Sequence, residues 1–235
     1  MRILIVGGSG GIGLSLVKKC LDFYAYAELF ATFHSHNVEF KHPRLKWQKL
    51  DVTNEKEIAQ LATRFESLDI PINAVGFLHS ENHQPEKSID IFDIDFFSKN
   101  IQINTLPSIL LAKYFKHSLT SNKHTVYVVL SVKIGSIKDN KIGGWLSYRT
   151  SKAALNMAIK TISIEWQRKL PNCCVLSFHP GTTDTELSKP FQRNLNKGQL
   201  HTSSFTSESI LKLISTATPS DSGKFYSFNG EEIEW

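Results

Sequence analysis

The chain has 235 residues, of which 41% are hydrophobic and 21% are charged, and its formal net charge is +5. This composition is that of a globular protein and argues against disorder. The length suits one α/β domain and leaves no room for a large second one. Lysine and arginine are scattered along the sequence, which favours an ordinary solvated surface over nucleic-acid binding.

No segment indicates secretion or a membrane. The apolar run at residues 3–6 is too short for a signal peptide, and no apolar stretch approaches membrane-spanning length. The three cysteines lack the spacing of metal ligands, and we expect them to be reduced core residues of a cytoplasmic protein. They are Cys20, Cys173 and Cys174. Three histidines also lack this spacing: His79, His83 and His179. We therefore expect no metal site.

Short apolar runs alternate with segments of helical period. We predict that the runs are strands buried on both faces, as in a parallel sheet. They span residues 3–6, 29–33, 72–75, 126–130 and 173–178. The alternation of strand and helix predicts an α/β fold with a doubly wound parallel sheet flanked by helices, in a single domain over residues 1–235.

Four helical stripes lie between or after these strands, at residues 12–20, 58–65, 101–115 and 154–166. The second is preceded by acidic Glu55 and Glu57, as a helix start prefers. The third contains Pro107, which we expect to bend it. Two segments rich in Gly, Ser, Asn or Lys, 135–144 and 189–207, are predicted to be irregular, and we expect each to border a site.

A glycine-rich loop follows the first predicted strand and opens the first predicted helix. It reads Gly7-Gly8-Ser9-Gly10-Gly11-Ile12-Gly13. Glycines permit a tight turn and a close backbone approach, and the N-terminus of a helix attracts pyrophosphate. A plain glycine turn is the alternative, but five glycines in seven residues at this place favour a dinucleotide-binding loop.

Tyr148 and Lys152 are the second feature with a chemical meaning. Residues four apart share a face of a helix, so the ammonium of Lys152 can lie beside the phenol of Tyr148 and favour its ionised form. A phenol tuned in this way can give a proton to a carbonyl oxygen or take one from an alcohol. Alone the pair is an ordinary surface pair; together with the glycine loop it predicts the active site of a nicotinamide-dependent oxidoreductase.

The spacings Gly7-x3-Gly11-x-Gly13 and Tyr148-x3-Lys152 resemble those of the short-chain dehydrogenase/reductase family. The resemblance extends over nearly the whole chain. Leu50-Asp51-Val52 is similar to the family's adenine-binding segment, Asn73-Ala74-Val75-Gly76 to its fourth-strand motif, and residues 180–185 to its segment beside the nicotinamide. The chain departs from the family at Val6, where the family has a threonine.

Four further stretches look like the C-factor-like carbonyl reductase branch of this family. They are Gly76-Phe77-Leu78-His79, Gly143-Gly144-Trp145, residues 187–191 and residues 229–235. The resemblance implies a Rossmann-type domain that holds the dinucleotide through residues of all its motifs. The expected contacts are Gly7, Ser9, Gly10, Gly11, Ile12, Gly13, Asp51, Val52, Asn73, Ala74, Gly76, Tyr148, Lys152, Pro180, Gly181, Thr183 and Thr185.

The resemblance also implies direct hydride transfer between nicotinamide C4 and the carbonyl carbon of a small carbonyl or alcohol substrate. Tyr148 would protonate the developing alkoxide, and Lys152 would lower the pKa of Tyr148 and hold the ribose. Ser131 would hydrogen-bond the carbonyl oxygen, and Asn104 would hold a water that links Lys152 to solvent. The serine assignment has a competitor, Ser136, because Ser131 precedes Gly135 by four residues where the family has three.

The end of the second predicted strand bears on the choice between NADP(H) and NAD(H). An NAD-preferring site usually has an acid there for the ribose 2′-hydroxyl. This chain has none, and His34, Ser35 and His36 can donate hydrogen bonds to a 2′-phosphate. We therefore expect NADP(H) to be favoured over NAD(H), with His34 among the cofactor contacts.

Two other functions compete with that of a carbonyl reductase. A non-catalytic, dinucleotide-binding signalling or regulatory protein would need neither Tyr148 nor Lys152. A sugar-nucleotide epimerase of the extended branch would need a larger C-terminal region. We also expect a homodimer or homotetramer, because the helix that starts near Tyr148 is apolar around its circumference, with Met157, Ile162 and Trp166 among small residues.

Overall fold

A computed structural model describes residues 1–35 and 38–235 of the chain. In this part, seven parallel strands form one sheet in the order β3-β2-β1-β4-β5-β6-β9, and β7 and β8 form a small second sheet. The strands are β1 Arg2–Val6, β2 Glu28–Phe33, β3 Leu45–Lys49, β4 Ile70–Asn73, β5 Thr125–Leu130, β6 Cys173–His179, β7 Thr182–Thr183, β8 Leu200–His201 and β9 Phe225–Ser227. The predicted doubly wound parallel sheet is confirmed.

Six α-helices connect these strands and cover the two faces of the sheet. They are α1 Gly11–Phe23, α2 Glu55–Ala62, α3 Ile94–Asn104, α4 Leu106–Leu119, α5 Leu146–Lys169 and α6 Ser203–Thr216. None of the helices within the described residues is both long and apolar enough to cross a bilayer.

The two hydrophobic cores follow from the alternation of side chains along the strands. Ile3 and Ile5 of β1 belong to one core, which α1 and α6 complete. Leu4 and Val6 belong to the other, which α2, α4 and α5 complete. Because both faces are covered, the central strands are apolar at nearly every position, which is the pattern that made them predictable.

The third predicted helix is interrupted rather than bent. α3 ends at Asn104 and α4 begins at Leu106, with Pro107 in the first turn of α4. Proline has no N–H and is accepted at the start of a helix but not inside one. The Thr105 hydroxyl at the junction donates a 2.7 Å hydrogen bond to the Ser151 carbonyl, so the break is held against α5.

Several elements lie where the sequence did not predict regular structure, among them β3, β9 and α6. β3 is an edge strand with several exposed polar residues, and β9 has only three residues. α6 starts at Ser203, inside the segment expected to be irregular, and Thr202 caps it. β4 ends at Asn73, two residues earlier than predicted, because the Asn73 side chain accepts a hydrogen bond from the Val75 N–H and turns the chain out of the sheet.

Candidate active site

The glycine loop turns between β1 and α1 with almost no space for side chains. Gly7 has a φ of +80°, which favours glycine, and a Cβ atom on Gly13 would lie 2.0 Å from the Gly7 carbonyl oxygen. Gly10 caps α1 without a side-chain hydrogen bond. The first backbone N–H groups of α1 therefore lie beside an open surface, as a pyrophosphate site requires. The residues present fit a dinucleotide.

A groove runs along the carboxyl ends of the strands, on both sides of this loop. It consists of a cavity of about 680 Å³ and one of about 360 Å³, which share Ser9, Gly10, Ala74, Val75 and Gly76. Ligands of doubly wound sheets bind at this edge, where the order of the strands reverses between β1 and β4.

The larger cavity contains the residues expected to bind adenosine and ribose. The expected residues that line only this cavity are Gly7, His34, Asp51 and Val52. The Asp51 carboxylate is turned toward Thr53, whose side chain and backbone N–H hydrogen-bond it and lower its pKa. His36, which was expected to assist His34, lies outside the described residues.

The smaller cavity contains three of the four residues expected to carry the chemistry, all but Asn104. The expected residues that line only this cavity are Gly11, Ile12, Gly13, Ser131, Tyr148, Lys152, Pro180 and Thr185. Residues from four separate segments thus meet beside the end of β5. Ser136 instead lines another depression, with Lys133 and the C-terminal residues 231–234.

Four expected residues lie outside the lining of both cavities. Asn73 donates a 2.7 Å hydrogen bond to the Ser108 hydroxyl, and Thr183 shares one of 2.8 Å with the Thr206 hydroxyl. Gly181 has a φ of +68°, and a Cβ atom there would lie 2.7 Å from the ring of His201. These three residues make contacts next to the groove without lining it. The fourth residue is Asn104.

Asn104 is bound on all sides by protein groups. Its Oδ1 accepts from the Phe77 N–H at 2.8 Å, and its Nδ2 donates to the Phe77 carbonyl at 2.8 Å and to the Ser151 hydroxyl at 3.0 Å. Nδ2 also contacts Asn100 Oδ1 at 3.1 Å. The side chain expected to hold a water therefore ties the segment after β4 to the helix that carries Tyr148.

Tyr148 and Lys152 are both buried on the first turns of α5. The Lys152 Nζ lies 6.0 Å from the centre of the Tyr148 ring and donates a 3.1 Å hydrogen bond to the Leu130 carbonyl. Burial lowers the pKa of Lys152 to about 8, since the ammonium has lost its water. Burial also raises the pKa of Tyr148, which is the opposite of the expected direction. In the protein alone this direction is set by the removal of the phenolate from water.

The start of α5 has an unusual backbone. Gly143, Gly144 and Trp145 are all left-handed, and Trp145 is the one non-glycine residue with a positive φ among those described. The Trp145 N–H donates a 2.5 Å hydrogen bond to the Glu86 carbonyl. The buried Glu86 carboxylate accepts from both the N–H and the hydroxyl of Ser147. Glu86 thus replaces a local cap at the N-terminus of the helix.

Sequence reasoning missed several residues of the groove. Ser98, Lys99 and Gln102 of α3 line the larger cavity, and their shared face is visible in the sequence only if the helix is started at Ile94 rather than at residue 101. Near Tyr148, the rings of Trp145 and Phe191 lie 4.9 Å apart, and His79 lies 5.6 Å from Phe191. These three side chains belong to stretches that resembled the carbonyl reductase branch, but no spacing in the sequence predicts that their rings lie together.

Comparison with known proteins decides the family. The family model described as short chain dehydrogenase matches residues 1–196. The chain belongs to the short-chain dehydrogenase family. The resemblance read from the sequence motifs is thereby confirmed, and the protein is an NAD(P)-dependent oxidoreductase.

Several similar proteins match nearly the whole length of the chain. A 1-hydroxy-2-glutathionyl-2-methyl-3-butene dehydrogenase from Rhodococcus sp. (strain AD45) is 28% identical over 99% of both chains. A benzil reductase from Bacillus subtilis (strain 168) is 27% identical over 95% of this chain and 96% of its own. An NADPH-bound carbonyl reductase from chicken fatty liver has a TM-score of 0.87 and 25% identity, covering 100% of this chain and 94% of its own.

The lowered pKa of Lys152 predicts how stability depends on pH. The folded protein holds this proton less tightly than the unfolded chain, where the pKa is near the ordinary 10.5. The cost of burying the ammonium is therefore fully present below pH 8, and it disappears as the pH rises from 8 to 10.5. A shift of this size corresponds to roughly 3 kcal/mol.

Lys152→Met removes that cost. Without cofactor, we expect the variant to melt at a higher temperature than the wild type. The difference between the two melting temperatures should be largest below pH 8 and should decrease as the pH rises from 8 to 10.5. Thermal unfolding of both proteins across this range measures the difference. A difference that stays constant with pH would show that the Lys152 ammonium is not destabilised by burial.

Proposed function

We propose that this short-chain dehydrogenase is a carbonyl reductase that uses NADPH and acts through Tyr148, Lys152 and Ser131. The observation that carries the proposal is the smaller cavity, whose lining contains these three side chains together with the glycine loop. A non-catalytic dinucleotide-binding protein would not need Tyr148 and a buried lysine in this groove, and burial of the lysine's charge is costly.

The dinucleotide supplies the hydride, and the protein supplies position and charge. Tyr148 is the proposed proton donor to the carbonyl oxygen. Its raised pKa keeps the phenol protonated, which is the form that reduction of a carbonyl needs. Lys152, whose Nζ is bound to the Leu130 carbonyl, is proposed to hold the ribose and to stabilise negative charge as the phenol loses its proton.

Ser131 is the proposed donor to the carbonyl oxygen. It follows β5 directly, and its N–H donates a 2.8 Å hydrogen bond to the Phe178 carbonyl, so its backbone is fixed by the sheet. A fixed backbone leaves only the direction of the hydroxyl to be set before it can stabilise developing charge. Ser136 lines a different depression, and this favours Ser131 over its competitor.

The acceptor is proposed to be a carbonyl with a flat apolar substituent. The Phe191 ring lies between those of His79 and Trp145, at 5.6 Å and 4.9 Å, and the Trp145 ring centre lies 6.4 Å from that of Tyr148. Aromatic side chains favour flat partners through offset or edge-on contacts. One similar protein is a benzil reductase, which fits this interpretation.

Turnover with a panel of aldehydes, ketones, quinones and ketoacyl thioesters tests the proposed function. We expect the wild type to oxidise NADPH with at least one carbonyl. Tyr148→Phe should abolish this turnover and leave the affinity for NADPH nearly unchanged, because the ring stays and only the proton donor is lost. Tyr114→Phe is the matched control, since that phenol lies on the surface and bonds Glu55. Near-normal turnover by Tyr148→Phe would mean that another group supplies the proton.

The preference for NADPH is proposed from the charges around the larger cavity. His34 lines it at the end of β2, where no acid stands, and Lys99 contributes a cation from α3. Of the carboxylates in the lining, Asp51 is already hydrogen-bonded to Thr53. A similar solved structure is a carbonyl reductase with NADPH bound.

We expect NADPH to bind more tightly than NADH in calorimetric titrations. His34→Asp places a carboxylate where NAD-preferring sites have one, so repulsion should shift the ratio of the two dissociation constants toward NADH by about tenfold. His34→Ala is the control without the new charge. Tighter binding of NADH by the wild type would contradict the proposal.

A homo-oligomer is proposed from the exposed apolar side chains of α4 and α5. Met157 and Ile164 of α5 are 67% and 50% exposed, and Leu106 and Ile109 of α4 are also exposed. Trp166, which was expected on the same free surface, is instead buried against Tyr127 and belongs to the core. Exposed apolar side chains in such number indicate a contact surface.

Light scattering at micromolar concentration should give the mass of a dimer or tetramer. Met157→Glu with Ile164→Glu should lower the mass to that of the monomer, since two charges would be buried in the contact. Phe23→Glu changes an equally exposed apolar residue at the end of α1 and should leave the mass unchanged. A monomeric wild type would contradict the proposal.

A further inference from the structure

The hydroxyl of Ser131 is hydrogen-bonded to a residue that no motif identified. Its Oγ lies 2.6 Å from Oδ1 of Asn156, and the residues are only 1% and 3% exposed. Asn156 is on α5, four residues after Lys152, so it shares the buried face that carries the lysine. A single helix face therefore holds Tyr148, Lys152 and the partner of the serine.

This hydrogen bond conflicts with the role proposed for the serine. A serine hydroxyl has one proton, and here Ser131 donates it to Asn156. The same proton cannot be donated to a carbonyl oxygen at the same time. For Ser131 to stabilise developing charge, its hydroxyl must be released from the amide oxygen and turned toward the cavity.

The other end of the Asn156 amide provides the means of release. Its Nδ2 is buried and has no hydrogen-bond partner among the described residues. If the amide turns over, Nδ2 donates to Ser131 Oγ, and the hydroxyl proton is free to point into the cavity. Asparagine is suited to this exchange because its two ends have the same shape and opposite hydrogen-bonding character.

Packing alone does not explain an asparagine at this position. Leu155 and Ile159, its neighbours on α5, belong to the core that covers this face of the sheet. A buried amide with an unpaired N–H reduces stability, whereas an apolar side chain of similar size would not. The choice of asparagine points to its contact with Ser131.

We propose that Asn156 is a positioning residue that sets the direction of the Ser131 hydroxyl, accepting its proton in the resting protein and donating to its oxygen during reduction. The inference rests on the proposed function, because it concerns the donor to the carbonyl oxygen. Asn156 contacts neither substrate nor cofactor in this account, and it acts only through Ser131.

A double-mutant cycle tests the coupling. The variants are Asn156→Leu, Ser131→Ala and the combination, assayed by single-turnover reduction of one good carbonyl substrate with NADPH. We expect Ser131→Ala to lose on the order of 100–1000-fold and Asn156→Leu roughly 10- to 100-fold. In the Ser131→Ala background, Asn156→Leu should change the rate by less than about twofold, because the residue has nothing left to position.

Two measurements separate this role from a merely structural one. Asn156→Leu should melt at the same temperature as the wild type or higher, and its affinity for NADPH should be unchanged. Ser163→Ala is the matched control, since Ser163 is a buried polar residue further along α5 whose hydroxyl bonds the Lys160 carbonyl; it should turn over normally. Asn156→Ala repeats the cycle if the leucine variant does not fold.

The outcomes are distinct. Multiplicative losses in the double variant would overturn the inference, because Asn156 would then act independently of the serine. Full activity of Asn156→Leu would overturn it as well. Turnover of Ser131→Ala at the wild-type rate would remove Ser131 from the chemistry, and the inference with it. Absence of turnover by the wild type with every carbonyl would instead overturn the proposed function itself.

Discussion

One hydrogen bond joins the two elements on which the site depends. The Lys152 ammonium on α5 donates to the carbonyl of Leu130, the last residue of β5, at 3.1 Å. Its burial is unfavourable, as its lowered pKa shows, and the carbonyl is its compensating partner. The bond joins the helix of Tyr148 to the end of the strand that leads into Ser131, so it links the elements that carry all three side chains.

Two further contacts fix the same helix along its first turns. Glu86 holds its N-terminus through Ser147, and Asn104 holds it one turn later through Ser151. Both residues come from outside α5, the first from the segment before α3 and the second from the end of α3. The helix is therefore anchored to the sheet, to the segment before α3 and to α3 itself, and side chains on a rigid element are positioned better than side chains on a loop.

The sequence predicted most reliably what depends on short-range patterns. The apolar runs of the central strands, the crowding of glycines at 7–13 and the four-residue spacing of Tyr148 and Lys152 are all local signals. What it missed depends on contacts between distant segments. The position of Lys99 in the groove could be predicted only with the true start of α3 at Ile94. The edge strand β3 was missed because it has no continuous apolar run. The raised pKa of Tyr148 reflects burial by the whole fold.

The left-handed turn before α5 affects which side chains the fold can accept beside Tyr148. The backbone at Trp145 is held by its bond to Glu86 and not by the indole, so a different side chain at 145 would inherit the same backbone. An exchange there alters the aromatic side chain beside Tyr148 while the helix that carries Tyr148 keeps its backbone. Position 145 can thus vary by single substitutions whose conformational strain, roughly 1–2 kcal/mol, is already borne by the fold.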